Sequence, residues 1–124
     1  MVFFNLIESI TRYMSKSGKI SYLDSEIRSL SPELRKVYVS KRDVVEAMVL
    51  AQVEAGFKTK VFELTSPRDT TRALLGMVQA ITTWYKPEGN LTIDDVAAMY
   101  RDIAAHTVGA TPEVLARAKK GKRS

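Results

Sequence analysis

An all-α fold is what this chain predicts, and three observations carry the prediction. Apolar residues recur at three- and four-residue spacing in successive stretches, and no stretch alternates apolar with polar over the length of a strand. Helix start signals also stand directly ahead of the periodic runs. About five helices joined by short turns make an antiparallel helical domain. A chain of 124 residues is long enough to bury one core without covalent staples.

Residues 2–16 form the first expected helix, with Phe3, Leu6, Ile7, Ile10, Tyr13 and Met14 on one stripe. No capping residue precedes it, and Phe3 and Phe4 need cover that nothing upstream provides. Ser17-Gly18 ends it. Tyr22, Leu23, Ile27 and Leu30 continue a helical stripe over the next segment. Ser31-Pro32-Glu33 then combines a capping hydroxyl, a proline suited to the first helical position and a carboxylate at the positive end of the dipole. The long helix it opens is expected to run to about Ala55 and stop at Gly56. Residues 57–65 are a connector whose Val61, Phe62 and Leu64 pack down on the core.

Ser66-Pro67-Arg68-Asp69 is the next start signal, a capping box with proline at the first position. The helix after it contains Ala73 to Tyr85, a run of thirteen residues without a charge. Leu74, Met77, Val78, Ile81, Trp84 and Tyr85 make one wide apolar face, while Leu75, Gly76 and Ala80 occupy its flanks and back. A rod apolar nearly all round must be covered on two sides. It is too short to cross a bilayer, which takes about 20 such residues. One side therefore meets the core and the other a second subunit. Lys86-Pro87-Glu88-Gly89-Asn90 forms a turn, and Thr92-Ile93-Asp94-Asp95 is another capping box. The last long helix sets Val96, Met99, Tyr100, Ile103 and Thr107 on one face and alanines over much of the rest, with Gly109 as its stop. Thr111-Pro112-Glu113 starts a short helix through Ala118.

Charge separates the chain into two parts. Residues 1–110 carry a net charge of +1 and residues 111–124 a net charge of +4, so the basic character belongs to a flexible tail. The expected organisation is a domain over 1–110 and that tail over 111–124. No cysteine is present, which excludes disulfides and thiol chemistry and fits a reducing cytoplasm. The amino terminus has no basic leader, and Asn5 and Glu8 interrupt its apolar run, so it does not read as a signal peptide. No cofactor motif or metal-ligand spacing occurs, and His106, the one histidine, stands without a nucleophile. It fits a helix C-terminus or a subunit contact, and catalysis is not expected. The methionines and tyrosines serve as core or as soft walls for an apolar guest.

LSPELRK and SPRDTTRALLGMVQAITTWYKPEGNLTIDDVAAMYRDIA, with the closing glycine, resemble the C-terminal ligand-binding domain of TetR-family transcriptional regulators over roughly residues 2–110. The branch most similar responds to acyl-CoA or fatty-acid-like compounds. The resemblance implies that the helices over 66–85 and 92–108 pair with their twins as a dimeric four-helix bundle. The interface would take Leu75, Gly76, Gln79, Ala80, Thr83, Trp84, Ala97, Ala98, Arg101, Ala104 and Ala105. It implies a hydrophobic small-molecule site at Ile10, Tyr13, Met14, Tyr22, Tyr38, Val45, Met48, Met77 and Ile81. Family members carry a helix-turn-helix domain ahead of this one, and DNA binding is expected only where that domain is joined to the chain. A helical interaction or assembly module without a ligand is the alternative.

Overall fold

The computed structural model describes residues 1–16 and 31–121; for 34, 35, 37–39 and 117–121 it describes the backbone alone. The regular elements among the described residues are helices: α1 (Val2–Lys16), α2 (Pro32–Lys58), α3 (Pro67–Gln79), the single turn α4 (Ile81–Trp84), α5 (Ile93–Thr107) and α6 (Pro112–Gly121). An isolated antiparallel bridge between Phe62 and Ala110 is the one extended pairing among those residues.

The core is built where α1 lies along α5, its most extensive contact, with α2 and α3 closing the other sides. Phe3, Phe4 and Ile7 are wholly buried there with Val49, Val53, Leu74, Ala104, Ala105 and Val108. The cover that the two phenylalanines need comes from the connector. The Phe62 ring meets Phe3 edge-on at 5.2 Å and Phe4 at 6.5 Å. Each such ring contributes on the order of 1.5–3 kcal/mol by leaving water. A second cluster of Val78, Ile81 and Val96 forms between α3, α4 and α5, flanked by Tyr85, Leu91 and Tyr100.

The helix starts at Ser66 and Thr92 follow their sequence signals, while the Ser17-Gly18 end expected for the first helix lies outside the described residues. Thr92 and Asp95 form the expected reciprocal box: Thr92 N–H donates to Asp95 Oδ2 at 2.9 Å and Asp95 N–H donates to Thr92 Oγ1 at 3.1 Å. At Ser66 only half of the box forms, with Asp69 N–H donating to Ser66 Oγ. Helix α2 does not stop at Gly56. It runs to Lys58 and ends in a Schellman pair, Val61 N–H to Gly56 O and Lys60 N–H to Phe57 O, which puts Lys60 at φ 62°. Gly56 instead makes room for Phe62, since a Cβ there would run into the ring. The same motif ends α5, with Gly109 at φ 63°, where a Cβ would strike the Glu63 carbonyl. Glu63 N–H to Gly109 O and Thr111 N–H to Val61 O tie the two endings together.

A further expectation is corrected. The uncharged run is not one helix, because it breaks at Ala80. Thr82 Oγ1 donates to Gln79 O and Thr83 Oγ1 to Ala80 O, so β-branched residues with hydroxyls draw carbonyls out of the regular ladder. The tail expected from residue 111 also begins in contact with the body. Val114 is buried and Leu115 packs on the core, so α6 begins as part of the packed body.

Candidate functional site

The largest departure from the sequence reading lies in the rotation of α5. Its inward face is Val96, Ala97, Arg101, Ala104, Ala105 and Val108, all buried within this one chain. Ala97, Arg101, Ala104 and Ala105 were expected at a subunit interface; they lie inside the single chain instead and offer no area to a second copy. The reason is volume. α1 brings two phenylalanines to the seam, and small residues on α5 let the backbones close around them. Met99 and Ile103, which share the apolar stripe with Val96, face outward at 40% and 38% exposure.

The seam also holds charge. Arg101 Nη1 donates to Glu8 Oε2 at 2.9 Å and to Asn5 Oδ1 at 3.4 Å, with its guanidinium 5.5 Å from the centre of the Phe4 ring. Arg12 donates to Glu8 Oε1 at 3.0 Å and to Asp94 Oδ1 at 2.6 Å. Asp94 and then Glu8, through these hydrogen bonds, raise the Arg12 pKa above its ordinary value. Glu8 thus answers two guanidiniums and ties α1 to α5. The sequence held a trace of it in Glu8–Arg12, four apart on α1.

Of the residues implied for a small-molecule site, Ile81 is fully buried, and Ile10, Met14 and Met77 are half-buried. Ile10 and Met14 pack against the Val78–Ile81–Val96 cluster, and Ile10 and Met77 pack against the main core. Ile10 alone of these touches both clusters, with Met14 on the second and Met77 on the first. Tyr13, Val45 and Met48 are exposed at 58%, 37% and 50%. Tyr22 and the side chain of Tyr38 lie outside the described residues.

The remaining residues implied for pairing form an open surface. Gly76, Ala80, Thr83 and Trp84 are exposed on the back of α3 and α4, and a Cβ at Gly76 would meet nothing within 4 Å. Leu75, Gln79 and Ala98 are half-buried. Trp84 stacks on Tyr100 of α5, ring centres 6.4 Å apart and planes 22° apart. That stack joins the α3–α4 face to α5, whose outward Met99 and Ile103 follow it. His106 lies on α5 one turn beyond, exposed, its Nδ1 2.9 Å from the Asp102 carbonyl oxygen. A groove at the end of α2, lined by Phe57, Lys58, Lys60, Phe62, Glu63 and Leu64, had no signal in the sequence reading.

Among the described residues no group of three or more His, Asp or Glu side chains converges to hold a metal ion. None of the described helices is long and apolar enough to cross a membrane. The described residues thus make a helical body with a charged seam between α1 and α5 and an open face on α3, α4 and α5.

The family model for the tetracyclin repressor-like C-terminal domain matches residues 3–108, and the chain belongs to that family. It is accordingly a ligand-binding and dimerisation domain of a TetR-like regulator. Comparisons with curated proteins and with solved structures give no match.

Proposed function

We propose that this chain senses a hydrophobic small molecule and pairs with a second copy of itself through the outer face of α3, α4 and α5. One observation carries the reading. Gly76 and Ala80 leave the back of an uncharged helix open, and the Trp84–Tyr100 stack extends that surface to Met99 and Ile103. Small residues admit a facing helix, and the aromatic and aliphatic groups supply area to bury. The pairing set becomes Gly76, Ala80, Thr83, Trp84, Met99 and Ile103, with Leu75, Gln79 and Ala98 at its margin.

Ile10, Met14, Met77 and Ile81 form the wall against which the effector rests, an acyl-CoA or fatty-acid-like compound in the cytoplasm. Flexible thioethers suit an apolar chain of variable shape. Where a helix-turn-helix domain is joined to this one, occupancy favours one spacing of two DNA-binding heads, through the difference in affinity between the two spacings.

Sedimentation equilibrium of the chain and of its Gly76→Glu variant tests the pairing. A dimer that becomes monomeric supports it, and an unchanged dimer rules the face out. Thermal melting with acyl-CoAs, fatty acids and neutral apolar compounds tests the sensing. A rise in Tm of the order expected from RT ln(1 + [L]/Kd), lost in Met77→Asp, supports it. No rise with any of them favours an assembly module without a ligand.

A further inference from the structure

The groove at the end of α2 lies apart from the pairing face and from the Ile10–Met14–Met77–Ile81 wall. We propose that it is a second binding site, for a small apolar monoanion: one carboxylate on an aromatic or aliphatic body. It is an open surface groove of about 590 Å³.

Three observations fix the chemistry. Phe57, Phe62 and Leu64 supply apolar lining, and Phe57, at 43% exposure, is a large ring left half in water. Lys58, Lys60 and Glu63 bring a net charge of +1 to the same lining, and none of the three forms an ion pair among the described residues. One negative charge on the ligand balances that set. A second would face Glu63 and be repelled, which discriminates against polyanions.

The groove is also formed in advance. Its loop is pinned by the Schellman bonds at Gly56 and Phe57 and by the two backbone bonds to Gly109 and Thr111. Little ordering is left for a ligand to impose. Lys60 holds the left-handed cap position, where glycine is the residue without strain. Lys60→Gly therefore removes an ammonium while easing the backbone, so loss of the fold cannot explain loss of binding.

Calorimetric titration of the full chain with 2-naphthoate and with neutral 2-naphthylmethanol tests the proposal. The carboxylate binds one per chain and more tightly than the alcohol. In Lys60→Gly its affinity falls about fivefold, the order of one exposed ion pair, while that of the alcohol holds. Phe57→Ser weakens both. Met77→Asp, which addresses the other wall, leaves 2-naphthoate binding intact. Absence of 2-naphthoate binding, equal affinity for the alcohol, or an unchanged affinity in Lys60→Gly would each overturn the proposal. So would loss of 2-naphthoate binding in Met77→Asp. A failure of self-pairing bears on none of these outcomes.

Discussion

Gly56 and Gly76 are both helical glycines, yet their surroundings send substitution in opposite directions. A methyl at Gly56 meets the Phe62 ring, which is itself locked against Phe3 and Phe4. Gly56→Ala is expected to lower stability by about 1–3 kcal/mol, the usual cost of overpacking, read by thermal or urea unfolding. A methyl at Gly76 meets open space. Gly76→Ala is expected to stabilise the single chain by about 0.5–1 kcal/mol through helix propensity alone. Asp95 gives a pH prediction. The Thr92 backbone N–H, and then its hydroxyl, hold the Asp95 pKa below the usual carboxylate value. A depressed folded pKa contributes stability above the unfolded value, near about 3.9, and that contribution is lost as pH falls through the lower folded value. Asp95→Asn should therefore show a shallower acid limb below about pH 4 in melting temperature against pH.

At the scale of elements, the seam between α1 and α5 is where packing overrode pattern. The positions of α1, α2 and α5 could be read from periodicity and start signals, and the Thr92 box formed as written. The face that α5 buries could not. A stripe of Val96, Met99, Tyr100, Ile103 and Thr107 is more apolar than one of alanines around an arginine. Two phenylalanines on the facing helix nevertheless need shallow neighbours, and hydrophobicity alone carries no information about volume. The same blindness hid the role of Gly56, whose reason is a ring six residues later. Arg101 was misplaced because its partner Glu8 lies on another helix, beyond any local spacing. Glu8→Gln, which weakens the tie from both guanidiniums, is expected to cost about 2 kcal/mol in chemical unfolding, as for a hydrogen bond to a charged group.

For the molecule as a whole, the described body closes on itself on one side and remains unfinished on the other. α6 belongs to the closed side. Removing residues 119–124 should leave melting temperature and association state unchanged, whereas cutting at 111 removes buried Val114 and should lower the melting temperature. On the unfinished side stands the single tryptophan of the chain, Trp84, 39% exposed and stacked on Tyr100. Its indole emission therefore reports on that surface and on no other. Water on the ring draws the emission toward the red in a dilute lone chain, and a twin chain seated over it expels that water and returns the spectrum toward the blue. A concentration series read in a fluorimeter thus tests the proposed pairing without a label: a blue shift as concentration rises supports it, and an unchanged spectrum counts against it.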